Sequence, residues 1–322
     1  MASSRDIYRL CYKIAQAYYH GQLTQQQIAN RFRLSRPKVS RLLQQAKDIG
    51  IVKINLIPPS DGFENDEFNL EQKFGLDEAK VVRVSDANNN KSNAQELGIA
   101  AADIFLRSIQ GNETVGMAWG ASISSMVEAL PWEPHPNVTL VQLTGGLGAD
   151  DSTEHSAELT RKTAQKLNAK FRLLPAPGIA SNKNAYKAFR SDSQISETLM
   201  LAENAQVAFV GLGILSDESV LLERSELLSK QDQDMLNQAG AVGDVVLRFL
   251  NEEGKLLDLE INKRIIGIQL EALKRIPQVI GVAGGGEKVA IIKAALRANI
   301  LNVLITDNVT AKLLLQNHET ER

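Results

Sequence analysis

LTQQQIANRFRLSRPKVSRLL, residues 23–43, reads as two short helices meeting at a tight corner. In the first, Ile28, Ala29 and Phe32 make one apolar stripe, and Thr24 stands as N-cap ahead of three glutamines. Leu34 plugs the corner. Ser35 caps a second helix that tolerates Pro37 in its first turn, while Val39, Leu42 and Leu43 point back onto the first helix. The opposite face carries Arg36, Lys38, Ser40, Arg41 and Gln44. Arg and Gln pair bidentately with guanine and adenine edges in a major groove, and Ser and Lys hold phosphates beside them. The second helix is therefore the candidate recognition helix, with Gln25 and Ser35 completing the candidate DNA contacts. Arg33 occupies the corner where glycine most easily adopts a positive φ, so local strain is expected there.

A solvated basic face on an ordinary helical hairpin is the competing explanation. Charge distribution weighs against it. Residues 1–57 hold ten Lys or Arg and two acids, net +8, whereas the other 265 residues are net −10, so a chain of net charge −2 is a basic head on an acidic body. Clustered positive charge is the footprint of phosphate binding. Residues 51–57, IVKINLI, alternate loosely after Gly50 and are expected to form a wing strand.

With 322 residues and 43% hydrophobic content the chain can bury a full core, and two domains are the natural division. The expected boundaries are a head at 1–57, a linker at 58–67 and a body at 68–322, because IPPSDGFENDE breaks the apolar periodicity with two prolines, a glycine and four acids. No stretch approaches the ~20 apolar residues of a membrane helix, and the start of the chain is a charged amphipathic helix, so a cytoplasmic protein with no membrane partner is expected. Cys11 is the single cysteine, which excludes internal disulfides and cysteine zinc sites. His20, His135, His155 and His318 lack ligand spacing, so neither metal nor cofactor is expected.

From residue 113 onward an apolar run, a glycine-bearing loop and a helix recur: TVGMAWG, VTLVQLTGGLG, VAFVGLGIL, VIGVAGGGEK and NVLITD open successive units. Short buried strands alternating with amphipathic helices predict an α/β body, a doubly wound Rossmann-like parallel sheet covered on both faces. Ligands of such sheets sit beyond the carboxyl ends of the strands. The glycines fall there: Gly120 with Ser122, the Thr144–Gly148 loop with Gly145 and Gly146, Gly211 and Gly213, and Gly284–Gly286. Bare amides at helix starts form an anion site, for which phosphate is the obvious occupant, and Lys288 adds a full charge. No Walker sequence is present. Each glycine alone is explained by a strand-to-helix turn; four such loops at equivalent ends favour a ligand.

A sugar phosphate also needs acceptors for its hydroxyls. Asp244, in AVGDVV, is the best acid for that work and Glu260 a weaker one; a helix cap or a solvated charge is the alternative for either, and the better explanation for Glu260. Trp119 fits either a ligand stack or core packing. Lys183, Lys187 and Arg190 are most cheaply explained as a solvated helix face.

The stretch 23–43, GMAWGAS, TGGLG, LLPAPG, VGLG, AGAVGDVVLRF and RIPQVIGVAGGGEKVAIIKAALR followed by VLITD, in this order over nearly the whole chain, resemble the SorC family of bacterial sugar-responsive transcription regulators. The resemblance implies a winged helix-turn-helix head, an effector domain akin to sugar-phosphate isomerases and glucosamine-phosphate deaminases, and assembly as dimers or tetramers. It also implies a phosphorylated sugar or polyol as effector. Its phosphate loop would be Gly120-Ala121-Ser122, helped by Gly145, Gly146 and Lys288, with Asp244 receiving hydroxyls. Two positions depart from the family: Arg33 replaces a corner glycine, and threonine is frequent where Ala121 or Ser122 stands. A pair of heads spaced ~34 Å apart would read a roughly palindromic operator in double-stranded DNA.

The alternative is a sugar-phosphate isomerase or deaminase carrying a DNA-binding head. That chemistry needs a positioned general base. Asp244 has no convincing titratable partner in the sequence, with His155 the nearest candidate, so no catalytic residue is assigned.

Overall fold

The computed structural model describes residues 4–55, 62–84, 90–146, 156–215 and 228–316. Contacts divide the chain into two units, Met1–Gly62 and Phe63–Arg322.

The first unit, as far as it is described, is helical. Helix Ser4–Ala15 runs on through a π-helical turn, Gln16–His20, and is followed by helices Gln25–Phe32 and Arg36–Asp48. Apolar residues three or four apart bring Cys11 and Ile14, Ile28, and Val39, Leu42, Leu43 and Ala46 into one buried cluster. Each large side chain so buried contributes ~1.5–3 kcal/mol, which is what stabilises helices this short. Beyond Gly50 the expected wing strand is not seen in residues 51–55. Ile51 and Val52 fold back onto the helical cluster, and the Val52 amide donates to the Ala46 carbonyl at 3.0 Å. Residues 56 and 57 lie outside the described residues.

The contact division falls after Gly62, and a helix starts at Glu64, inside the segment expected to be linker. The acids that suggested a linker, Glu64, Asp66 and Glu67, occupy that helix's first turn, where they complement its dipole.

The second unit is built on a sheet whose strands are β1 (Glu78–Val82), β2 (Thr114–Met117), β3 (Thr139–Gln142), β4 (Lys170–Arg172), β5 (Val207–Gly213), β6 (Ala241–Val245), β7 (Arg248–Asn251), β8 (Gln278–Val282) and β9 (Val303–Asp307). Seven of them run parallel in the order β1-β9-β8-β5-β2-β3-β4, and β6–β7 is an antiparallel hairpin attached to the end of β5. Successive side chains point to opposite faces. Val207 and Phe209 enter a cluster with Leu97, Phe105, Ile123 and Met126 from helices Asn90–Ser108 and Ala121–Ala129. Ala208 and Val210 enter the other, with Leu70, Ala202, Ile291 and Leu314 from four helices. Two-sided burial is why these strands read as continuous apolar runs.

The chain runs outward from β2 through β3 to β4, then returns to the far side of β2 with β5, continuing through β8 to β9. The strand order therefore reverses between β2 and β5, and in sheets of this kind the ligand crevice lies beyond the carboxyl ends of the strands at such a switch point.

Candidate functional site

Two surfaces carry the residues singled out from sequence, one in each unit. In the first unit the corner is built as expected. Thr24 and Gln27 form a reciprocal capping box, the Thr24 amide donating to Gln27 Oε1 at 2.9 Å and the Gln27 amide to Thr24 Oγ1 at 3.3 Å. Arg33 closes the helix with φ 54° and ψ 45°, the left-handed conformation. The Leu34 amide donates to Ala29 O at 2.9 Å, completing the turn, and Ser35 Oγ accepts from the Lys38 amide at 3.4 Å.

This geometry leaves Ser35, Arg36, Lys38, Ser40, Arg41 and Gln44 exposed. Among the described residues no carboxylate lies within ion-pair distance of Arg36, Lys38 or Arg41. Gln44 Nε2 donates to Asp48 Oδ1 at 2.9 Å, which steadies the side chain while leaving Oε1 and one N–H open. Gln25 and Arg36 line one cleft of about 490 Å³ with Tyr18, Gln22 and Thr24.

In the second unit the crevice is bounded by the ends of β2, β5 and β8. Gly120 caps the helix Ala121–Ala129, whose first amides, at Ala121, Ser122 and Ile123, have no partner within the helix. Next to it, β5 runs on past the sheet and pairs with β6, setting Gly213 opposite Asp244. A Cβ on Gly213 would overlap Asp244 Oδ1, so only glycine admits the carboxylate.

Asp244 is buried. Its Oδ2 accepts the Leu247 amide at 2.8 Å, while Oδ1 has no partner among the described residues. Burial pushes the carboxyl up to about 6, against the Leu247 amide and the charge of Lys288, which pull it down. Lys288 ends a short turn, Gly286–Lys288, after β8. Burial lowers its ammonium, with the Glu287 and Asp244 charges acting the other way. This end of the sheet thus carries a carboxylate oxygen without a donor among the described residues, a partly desolvated ammonium and a helix start.

Gly145 and Gly146 do not serve as free donors. Their amides donate to Ile266 O at 2.9 Å and Ala176 O at 2.8 Å. A Cβ on Gly145 would run into the Pro177 and Ala176 carbonyls, so this glycine lets three segments pack together. Gly285 is likewise committed, its amide donating to Asp307 Oδ2 at 2.7 Å and Thr310 Oγ1 at 2.8 Å. Glu260 is exposed and ion-paired with Lys263 at 3.3 Å. Lys183 and Lys187 are exposed, Arg190 is half-buried, and Trp119 is half-buried against two apolar clusters. Leu147, Gly148 and His155 lie outside the described residues.

Arg248 and Asp307 escaped sequence reasoning. Arg248 is fully buried, with its guanidinium donating to the carbonyls of Asn262 (2.9 Å), Gly267 (3.3 Å) and Ile268 (3.1 Å). Burial lowers its pKa to about 10. Nothing in VVLRFL marks an arginine for burial. Asp307 did carry a signal, since Asp-Asn-Val-Thr after an apolar strand has the form of a helix cap. Its Oδ1 accepts the Val309 and Thr310 amides, both at 2.8 Å. A second cleft, of about 530 Å³ between β4 and helix Ser193–Glu203, is lined in part by Leu173 and Pro175 of the LLPAPG motif but by none of the candidate DNA- or effector-binding residues.

Residues 63–316 match the family model described as "Putative sugar-binding domain". The chain is 31% identical over 313 residues to the deoxyribonucleoside regulator of Bacillus subtilis (strain 168), covering 97% of this chain and 99% of that one. It is 31% identical over 309 residues to transcriptional regulator LsrR of Escherichia coli (strain K12), covering 95% and 94%. Among solved structures it resembles the full-length sorbitol operon regulator SorC from Klebsiella pneumoniae, with TM-score 0.74, 30% identity, and 97% and 100% of the two chains covered. A DeoR family transcriptional regulator from Listeria monocytogenes gives TM-score 0.72 and 28% identity over 78% and 98%. All four are named as regulators and none as an enzyme.

Proposed function

The chain belongs to the SorC family of sugar-binding transcriptional regulators, and from that premise we propose that a phosphorylated sugar or polyol, bound beyond the ends of β2, β5 and β8, controls its grip on DNA. It is a DNA-binding transcriptional regulator with a sugar-binding domain. One observation carries the choice of ligand: Asp244 Oδ1 is buried, has no donor among the described residues, and feels the charge of Lys288. An unpaired buried acceptor costs ~1–3 kcal/mol, which a ligand hydroxyl would recover.

The phosphate sits on the free amides at the start of helix Ala121–Ala129, with Ser122 beside it and Lys288 supplying a full charge. Gly145, Gly146 and Gly213 shape the walls. The regulated genes are those of a carbohydrate-utilisation operon. A chain that binds chromosomal DNA in a bacterium works in the cytoplasm.

In the head, Gln25, Ser35, Arg36, Lys38, Ser40, Arg41 and Gln44 contact the duplex. Self-association as a dimer or tetramer presents two recognition helices to successive major-groove turns, which requires a roughly palindromic operator. Effector binding shifts the equilibrium between two arrangements that differ in DNA affinity. The test is a thermal-shift screen of the full chain against sugar phosphates. A ligand at 100 times its Kd adds ~2.7 kcal/mol, and the same compound must leave Asp244→Ala unshifted.

A further inference from the structure

At 3.6 residues per turn, the buried side of helix Arg36–Asp48 is fixed by Val39, Leu42, Leu43 and Ala46. The line diametrically opposite runs through Pro37, Arg41 and Gln44, with Arg36 and Ser40 on one flank and Lys38 on the other. All six are exposed. Pro37 is the one apolar residue among the exposed positions of this helix, and it stands in the first turn, the part of a recognition helix that reaches base edges.

Its ring has no amide N–H and cannot hold a phosphate by hydrogen bonding. A major groove offers such a surface one partner, the 5-methyl group of thymine. Arg41 and Gln44 follow on the same line and carry donors and acceptors suited to guanine and adenine edges. The Asp48 carboxylate accepts from Gln44 Nε2 at 2.9 Å, which orients that side chain on the stripe.

We propose that Pro37 is a sequence-reading residue, its ring packing on the methyl group of one thymine in each operator half-site. The inference rests on the DNA-binding function and names what the recognition helix reads. A first-turn proline that only favoured helix formation would act equally on every sequence.

The test uses the full-length protein and an operator enriched by that protein from a random duplex library. Each thymine is replaced in turn by deoxyuridine, which deletes only the methyl group. The expected result is a loss of about fourfold at one thymine per half-site, the worth of one buried methyl, and no such loss at that position for Pro37→Ala. Helical content and Tm of the variant check that its head still folds. Uniform tolerance of deoxyuridine, or a Pro37→Ala protein that still discriminates it, overturns the assignment. Failure to enrich any duplex overturns the DNA-binding function itself, and this assignment with it.

Discussion

Gly213 and Asp244 face each other across the β5–β6 pair so closely that a Cβ on the glycine would overlap Oδ1 of the carboxylate. The acid is thereby fixed in place, buried, paired through one oxygen and without a partner among the described residues through the other. Gly213→Ala is expected to cost about 1–3 kcal/mol by overpacking and to lower effector affinity by displacing Asp244, while leaving DNA affinity unchanged. Calorimetric titration with the effector, beside operator binding by the same preparation, checks both halves. Unaltered effector binding would remove the pair from the site.

The same carboxylate sets a pH dependence. Its folded value of about 6 lies above the ordinary 3.8, because burial disfavours the charged form. The folded state therefore holds a proton that the unfolded chain has released. That stabilisation is complete below about pH 3.8 and is lost as pH rises to about 6, a change of up to about 3 kcal/mol. Denaturant titrations at pH 4.5 and 7 should show the loss in the wild type and its absence in Asp244→Asn. Ligand hydroxyls donate to the ionised form, so effector affinity should rise between pH 5 and 7 more steeply in the wild type than in Asp244→Asn. Ionisation of the ligand phosphate is common to both proteins and cancels in the comparison.

Arg33 holds a left-handed conformation at the corner of the head. Replacement by glycine relieves a strain of about 1 kcal/mol and removes one positive charge. Arg33→Gly should raise the thermal stability of the head and weaken binding to all duplexes alike, with a shallower salt dependence. A lower Tm would contradict this account of the corner.

Arg41→Ala is expected to lower operator affinity by about 1–3 kcal/mol and relax preference at one base pair, whereas Lys38→Ala should weaken all sequences equally. Competition binding against a set of single-base operator variants separates the two effects. Equal loss across the set for Arg41→Ala would move it to the phosphate contacts.

The helix-turn-helix segment was legible because most of its local rules agree: Thr24 and Ser35 cap, and Ile28, Val39, Leu42 and Leu43 supply one stripe, with Arg33 at the left-handed corner the one departure. The parallel strands β2, β3, β5, β8 and β9 were legible for the same reason, their two-sided burial leaving apolar runs, whereas the edge strand β4, exposed and reading Lys-Phe-Arg, gave no such signal. Long-range partners were not. The amides of Gly145 and Gly146 looked free until the segments carrying Ile266 and Ala176 closed on them. Arg248 would be expected at the surface, yet the Asn262–Ile268 backbone wraps its guanidinium in carbonyls contributed from well beyond the hairpin. The hairpin itself was hidden, because AVGDVVLRFL shows no turn glycine; its corner is made by Val246 and Leu247 at φ 49° and 65°. Residues 51–55 alternate as a wing strand would, but Ile51 and Val52 pack onto the helices and residues 53–55 are exposed.

The most direct test of control by a phosphorylated effector is the affinity of the full-length protein for its operator, read by fluorescence anisotropy with and without each member of a sugar-phosphate panel. At least one compound should change the apparent Kd about fivefold or more, be recovered chemically unchanged, and have no effect on Asp244→Ala. An affinity indifferent to every compound, or rapid conversion of the compound by the protein, would contradict the account.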